Sequence, residues 1–179
     1  MSKQDILDFW FKETTNEQWF KKDDAFDAKI RARFKPVIEA GLSGRLNDWR
    51  KDDEGALALV LLTDQFTRNV YRGTPRSFAG DTLALETTIE CIENGYLSRN
   101  EKNHRYFMLM PMMHSEDLAI QEASLPLFKQ HAPENAYNYA VKHRDIIARF
   151  GRFPHRNSIL GRSSTDEETQ FLEQPGSSF

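Results

Sequence analysis

The chain has 179 residues, a net charge of −3 and 39% hydrophobic residues, a composition typical of one globular domain with a packed core. The net negative charge provides no overall positive field for nucleic acid or an anionic membrane, so any anion binding must be local. The longest apolar run, residues 56–62, is far shorter than the about 20 residues of a membrane span. The N-terminus lacks the features of a signal peptide and Cys91 is the one cysteine, so we expect a reducing, cytoplasmic setting.

Hydrophobic residues that recur at steps of three and four predict helices along most of the chain, whereas strand signals are weak. In chain order the predicted helices cover residues 4–12, 23 or 24–40, 53–71, 81–94, 99–110, 115–131 and 135–150, with a short one at 166–172. Gly41 is expected to end the second helix, and Ser115 to cap the sixth. The side chains of the fourth helix that are expected to face the core are Leu83, Leu85, Ile89 and Ile92.

Seven to eight helices joined by short connections predict an all-α fold of antiparallel helical hairpins stacked in layers. The length suits a single domain that spans residues 1–179. Gly151 and Pro154 interrupt the helical pattern, so residues 151–179 are expected to form an irregular C-terminal segment that packs back on the helices.

The first polar cluster lies at the end of the third predicted helix, in the run LLTDQFTRNVYR. This helix is apolar nearly all round before the cluster, so it should be central. Gln65, Arg68, Asn69 and Arg72 are spaced to share one helix face, and Asp64 is an i, i+4 partner of Arg68. Buried polar groups must be paired, so the cluster is either an internal network or a pocket wall whose arginines await an anion.

The second polar cluster is the run HSEDL. Ser115, Glu116 and Asp117 are adequately explained as the favourable start of a helix. His114 is not explained by capping, although a partly buried structural histidine is the simpler interpretation. Glu116 could serve as a base if its side chain points inward.

The third polar cluster, HRDIIARFGRFPHRNSILGR, concentrates positive charge near the C-terminus. It contains one acid, Asp145, and the residues that could bind an anion there are His143, Arg144, Arg152, His155, Arg156 and Asn157. Arginine forks suit phosphate or carboxylate groups. The segment after Arg162 is acidic and lacks Lys and Arg, so it could instead fold back and neutralise this patch.

Metal and cofactor motifs are absent from the sequence. HExxH, CxxC, glycine-rich phosphate loops and GxSxG are all missing, so we expect no cofactor and no metal. A metal site would have to be assembled in space, for example from His114, Glu116 and His143, and this is a weak alternative.

Together ILDFWF, LALVLLTDQFTRNVYRGT, HSEDL, HRDIIARFGRFPHRNSILGR and GSSF resemble the bacterial domain of unknown function nine-two-four over almost the whole chain. The resemblance implies a tetratricopeptide-like, all-α helical-hairpin fold and brings no established activity. The family motif often reads DQFPRN, and Thr67 here replaces the proline, which lets the helix continue regularly. The motif positions fall in the three polar clusters described above.

The leading hypothesis is a cytoplasmic pocket for a small phosphate- or carboxylate-bearing ligand. The candidates for proton transfer are His114, Glu116, His143 and Asp64, and those for ligand binding are Gln65, Arg68, Asn69, Arg72, Arg144, Arg152, His155, Arg156 and Asn157. The first alternative is a scaffold that binds a protein partner or a second copy, with the motif residues as internal struts. RNA binding through the basic segment is the weakest alternative, because the rest of the chain is acidic.

Overall fold

The helical periodicity of the sequence is reproduced in a computed structural model, which describes residues 1–178 and is all-α within that range. The α-helices, numbered in chain order, are α1 (Lys3–Asp8), α2 (Asn16–Phe20), α3 (Asp24–Leu42), α4 (Asp53–Val60), α5 (Thr67–Val70), α6 (Asp81–Glu93), α7 (Lys102–Met113), α8 (Leu118–His131), α9 (Glu134–Phe150) and α10 (Asp166–Leu172). The predicted all-α class is confirmed. The tetratricopeptide-like order of stacking stays a prediction.

The start of α8 differs from the expected one. Asp117 is the N-cap, and its carboxylate accepts hydrogen bonds from the amides of Ala119 at 2.8 Å and Ile120 at 3.3 Å. Ser115 was expected to cap this helix, and that prediction is wrong because an ionised carboxylate is a stronger acceptor for the free amides than a hydroxyl. Ser115 and Glu116 therefore lie in the connection before α8 rather than in its first turn.

The helix that begins at α4 runs into α5 through a π-helical turn at Leu61–Phe66. Every residue from 55 to 67 along it is buried, which confirms that this helix is central. A π-helical turn inserts an extra residue and is common at functional sites. Here the turn contains Asp64 and Gln65, the first carboxylate and amide side chains that the helix brings into the interior.

The core is dominated by aromatic side chains from a first π-helical turn that follows α1 (Phe9–Glu13), from α3, from the π-turn at Leu61–Phe66 and from α7. Phe9, Trp10, Phe34, Phe66 and Phe107 are all fully buried, and their ring centroids lie between 4.7 and 5.9 Å apart in the contacting pairs. Burial of each such ring removes a large apolar area from water. Within residues 1–178, no helix is long and apolar enough to cross a membrane.

The face of α6 that packs on the core is only partly the expected one. Leu85 and Ile92 pack against the core as predicted, but Ile89 is exposed. The fully buried side chains of this helix are the smaller ones, Ala84, Thr87, Thr88 and Cys91. Small residues allow α6 to approach α4 and α7 closely, and Thr88 donates a hydrogen bond to the carbonyl of Met108 at 2.7 Å. The prediction for Ile89 was therefore wrong. Gly41 also lies inside α3 rather than at its end.

The segment after α9 contains a 3₁₀ turn at Pro154–Arg156 and then α10. Phe153 is fully buried against Ile146 and Ile147, with Phe150 and Phe171 packed beside them as a second small apolar cluster. These contacts place the basic residues of the segment next to the end of α7, where the functional candidates meet.

Candidate functional site

Five charged or ionisable side chains, each from a different structural element, meet at one place, which we call the central cluster. They are Asp64 of the π-turn, Arg68 of α5, Asp81 at the start of α6, His114 at the end of α7 and Arg156 of the 3₁₀ turn. Four of the five are residues that the sequence singled out, and Asp81 is the one that it did not.

Asp64 is completely buried, and its charge is satisfied by its neighbours. Its Oδ1 lies 2.7 Å from Nδ1 of His114 and 3.1 Å from Nη1 of Arg68, and Gln65 donates to Oδ2. Burial is the largest single influence and raises the pKa of this carboxyl, but the charge of Arg68 and the hydrogen bonds from His114 and Gln65 together outweigh burial and keep the pKa below its ordinary value of 3.8. Asp64 is therefore an ionised carboxylate, and the predicted i, i+4 pair with Arg68 is present.

His114 is the C-cap residue of α7, and its imidazole is largely buried beside Asp64. Burial lowers the pKa of His114 below 6.5, so the ring is neutral at pH 7. Because ionised Asp64 can only accept a hydrogen bond, Nδ1 of His114 must carry the proton and donate it. The lone pair is then on Nε2, the arrangement of a histidine general base oriented by a carboxylate.

Arg68 donates to both oxygens of Asp81, at 2.8 and 3.1 Å. The start of α6 can approach Arg68 because Gly80 has no side chain. A Cβ at Gly80 would lie 2.2 Å from the carbonyl oxygen of Thr63, closer than any real contact. The glycine therefore allows the end of α6 to rest on the backbone of the π-turn, and this close approach places Asp81 beside Arg68.

Arg156 is the least neutralised member of the central cluster. Its side chain is 8% exposed, and its guanidinium carbon lies 4.7 Å from the ring centroid of Phe78 and 4.6 Å from that of Phe153. Nη2 donates to the carbonyl of His114 at 2.9 Å, but the nearest carboxylate oxygen, on Asp81, is 3.5 Å from Nη1. No residue among 1–178 hydrogen-bonds Nε, which is buried. Burial, followed by repulsion from Arg68, lowers the pKa of Arg156 to about 10.

Two more histidines surround this cluster. Nδ1 of His143 donates to the carbonyl of Tyr139 at 2.7 Å, and its ring centroid is 6.4 Å from that of His114. The ring of His155 lies 5.6 Å from that of Phe153. Burial lowers the pKa of His143 to about 3 and that of His155 to about 4. Both rings are neutral at pH 7, so neither adds positive charge beside Arg156.

A second group of charges, which we call the tail ion pairs, lies toward the C-terminus. Arg162 donates to both oxygens of Glu116 at 2.7 and 3.0 Å, and Arg152 to both oxygens of Glu168 at 2.7 and 2.8 Å. Glu116 also accepts the amide of Phe153 at 2.8 Å. Burial raises the pKa of Glu116, but the hydrogen bonds from Arg162 and from that amide lower the pKa by more than burial raises it. The pKa of Glu116 is therefore below its ordinary value of 4.5, and Glu116 is a weak base.

The remaining predicted site residues have partners of their own. Asn69 and Arg72 donate to Asp27 of α3, at 2.7 and 2.6 Å. The stripe predicted on one helix face is therefore divided, because its other two members, Gln65 and Arg68, contact Asp64 instead. Arg144 donates to Asp145 at 2.8 Å. Asn157 donates to Glu168 at 3.3 Å. The structure brings Asp64, Gln65, Arg68, His114 and Arg156 together and pairs these other residues elsewhere.

Sequence reasoning missed Asp81 and Phe78. Asp81 lies in the first turn of α6, where an acidic residue is normally explained by its favourable interaction with the helix dipole. Its contact with Arg68 therefore could not be recognised from the sequence. Phe78 follows Pro75 in a 3₁₀ turn and carries no motif, yet its ring lies against both Arg68 and Arg156. Within residues 1–178, no group of three or more His, Cys, Asp or Glu side chains is arranged to bind a metal.

A model of the family described as "Bacterial protein of unknown function (DUF924)" matches residues 6–176. The chain belongs to this family. The family resemblance noted in the sequence is thereby confirmed. A solved structure of ATU0120, a protein of unknown function from Agrobacterium tumefaciens, is 42% identical to this DUF924 chain, covers 96% of both chains and superposes with a TM-score of 0.90. No curated protein matches the chain.

Proposed function

We propose that this DUF924 chain binds a small carboxylate- or phosphate-bearing molecule at the central cluster, with Arg156 as the main anion-binding residue. The observation that supports this most strongly is the state of Arg156. Its guanidinium is buried, Nε has no partner among residues 1–178, and the nearest carboxylate oxygen is 3.5 Å away. An uncompensated buried charge is costly, and an incoming anion would remove that cost.

His114 adds proton chemistry to the same place. Its neutral imidazole is oriented by Asp64, and its own carbonyl accepts a hydrogen bond from Arg156. A ligand whose anionic group lies against Arg156 would therefore place its remaining atoms near the ring of His114. The lone pair on Nε2 would accept a hydrogen bond or a proton from that ligand. A cytoplasmic setting belongs to the proposal, since Cys91 is a buried free thiol.

The test is a titration of the purified chain with inorganic phosphate and with acetate, at constant ionic strength adjusted with sodium chloride. Binding is followed by calorimetry and by the rise in Tm. We expect a saturable rise for the unchanged chain and its loss in Arg156→Gln, because the substitution removes the charge that the anion neutralises.

Arg152→Gln is the matched control, because Arg152 lies in the same segment but donates to both oxygens of Glu168. This variant should lower the starting Tm and still show the ligand-dependent rise. The proposal fails if the unchanged chain shows no rise beyond that of sodium chloride. It also fails if Arg156→Gln keeps the whole rise.

A scaffold that binds a protein partner or a second copy is the second candidate function. The observation that favours it is the pairing of Arg72, Arg152 and Arg162 with acidic residues of this chain, as expected of internal struts. Phe20 and Tyr139 are 59% and 48% exposed, which is uncommon for aromatic side chains. Sedimentation of Phe20→Ser beside the unchanged chain tests this candidate, since an unaltered monomer in both would count against self-association through Phe20.

A further inference from the structure

The carboxylate of Asp81 lies between two guanidinium groups. It accepts two hydrogen bonds from Arg68, and its Oδ2 is also the nearest carboxylate oxygen to Arg156. We propose that Asp81 occupies the position of the ligand's anionic group, and that the ligand is a carboxylic acid whose carboxylate displaces the Asp81 side chain. This inference rests on the proposed function and names the ligand class for the same site.

Asp81 is poorly placed to satisfy Arg156 because its carboxylate is attached to α6. Asp81 is the first residue of that helix, and the preceding Gly80 packs directly on the carbonyl of Thr63. With the backbone so constrained, Asp81 reaches Arg68 at 2.8 Å but Arg156 only at 3.5 Å. A carboxylate that is not tethered can approach both guanidinium groups at ordinary hydrogen-bond distances.

Asp81 can leave this position more readily than Asp64 can. Its side chain is 25% exposed, whereas that of Asp64 is 0% exposed. Asp81 makes no capping hydrogen bond to the amides of α6, and the N-cap residue of that helix is Gly80. Rotation of the Asp81 side chain toward water would therefore cost contacts with Arg68 and Arg156 alone, and the ligand replaces those contacts.

The charge of the cluster favours a carboxylate over phosphate. A carboxylate ligand adds one negative charge while the carboxylate of Asp81 moves toward water, whereas a phosphate dianion adds two negative charges near buried Asp64. The oxygen of Asp64 is 3.1 Å from the same Nη1 of Arg68 that binds Asp81, so the repulsion would be close.

The experiment measures the affinity for acetate of the unchanged chain, Asp81→Ala, and the double variant Asp81→Ala with Arg156→Gln. Removal of the competing carboxylate should tighten acetate binding by about tenfold or more, the size of one charge-assisted hydrogen-bonded contact. The double variant should lose this gain. Inorganic phosphate, titrated in parallel, should gain less than acetate from Asp81→Ala.

Glu116→Gln is the matched control, because it removes another carboxylate near Arg156 without emptying the space between the two guanidinium groups. It should change acetate affinity far less than Asp81→Ala. If Asp81→Ala does not fold without acetate, added acetate should restore the fold. Asp81→Asn provides a second variant, in which the side chain keeps its shape but loses its charge. Equal acetate affinity in Asp81→Asn and the unchanged chain would then overturn the inference.

The outcomes separate this inference from the proposed function. If the unchanged chain binds acetate through Arg156 but Asp81→Ala binds it no more tightly, only the displacement of Asp81 is overturned. If Asp81→Ala binds acetate and the unchanged chain binds neither acetate nor phosphate, the position of the ligand is supported, and the proposed function of the unchanged chain fails. If neither protein binds acetate but the unchanged chain binds phosphate through Arg156, only this inference fails. If neither protein binds either anion, both fail.

Discussion

The central cluster and the tail ion pairs contain the same kinds of residue, but their charges are distributed differently. In the tail, Arg152 and Arg162 each bind both oxygens of their own carboxylate. In the central cluster, Asp64 and Asp81 both lie closer to Arg68 than to Arg156. The nearest carboxylate oxygen to Arg156 is 3.5 Å away. Each region contains two arginines and two acidic residues, so the summed charge of these four side chains is zero in both. The number of charges therefore does not distinguish a structural ion-pair network from a binding site.

This difference indicates where an external anion would be useful. The tail ion pairs need no further partner, because every charge there faces an opposite one at hydrogen-bond distance. In the central cluster, Arg156 has no carboxylate at ordinary hydrogen-bond distance, and its guanidinium packs between the rings of Phe78 and Phe153. The acidic tail therefore neutralises part of the basic segment, as the sequence allowed, but leaves Arg156.

The largest expected effect comes from Asp64→Asn. This change removes a fully buried carboxylate that faces both Arg68 and His114, and leaves the guanidinium with one acidic partner. We expect the free energy of unfolding to fall by about 3 to 5 kcal/mol, the usual cost of breaking a buried pair. Urea denaturation followed by circular dichroism measures it. A loss below 1 kcal/mol would show that the buried charge is not needed.

Gly80→Ala should have the next largest effect. The added Cβ would lie 2.2 Å from the carbonyl oxygen of Thr63, so α6 must move away from the π-turn. We expect a loss of about 1 to 3 kcal/mol in the free energy of unfolding. The shift should also separate Asp81 from Arg68. Gly73→Ala, at a glycine with positive φ but open space around it, is the comparison for strain without a clash.

His143→Gln should alter the pH dependence of stability. The pKa of His143 is about 3 in the folded chain against 6.5 ordinarily, so the unfolded chain binds the proton first as pH falls. Its contribution is therefore complete above pH 6.5 and is lost as the pH decreases toward 3. Between pH 7 and pH 5 the loss should be about 2 kcal/mol, since pH 5 lies 1.5 units below 6.5.

Denaturation of His143→Gln at both pH values measures this contribution. Glutamine can still donate to the carbonyl of Tyr139, so the variant should show a flatter pH dependence than the unchanged chain. Identical slopes for the two proteins would contradict the neutral, buried state of this ring.

Glu168→Gln, which removes one carboxylate of the tail ion pairs, should have the smallest effect on the free energy of unfolding. The hydrogen bond from Arg152 is the main reason that the pKa of Glu168 falls from 4.5 to about 2. The stabilisation is therefore present above pH 4.5 and is lost as the pH falls toward 2. Because the guanidinium of Arg152 is partly exposed and screened by water, we expect a smaller loss of stability at pH 7 than that of Asp64→Asn. An effect as large as that of Asp64→Asn would erase the contrast between the two regions.

Much of the fold follows from the sequence because helical periodicity and capping residues are local signals. The predicted bounds of α10 agree with the structure, and α6 and α9 differ by one residue at an end. The core face of α6 could not be predicted in the same way. Whether Thr88 or Ile89 is buried depends on how closely α4 and α7 approach, and only the assembled helices determine that distance.

The candidate site was predictable as a set of residues, but of its pairs only the local one between Asp64 and Arg68 was predictable. Asp64, Arg68, His114 and Arg156 stand out as polar groups beside apolar helices, and the structure brings them together. The separate pairing of Arg152 with Glu168, and the role of Asp81, depend on contacts between distant segments. Periodicity carries no information on such contacts.

The most direct test of an anion site at Arg156 is the behaviour of the arginine Nε–H groups themselves. In the chain labelled with ¹⁵N-arginine, NMR resolves the Nε–H signals during titration with acetate, and Arg156→Gln and Arg152→Gln assign the signals of these two residues. We expect a saturable shift of the Arg156 signal with slower hydrogen exchange, while the Arg152 signal stays in place. Movement of both signals by the same small amount, or of neither, would contradict a ligand site at Arg156.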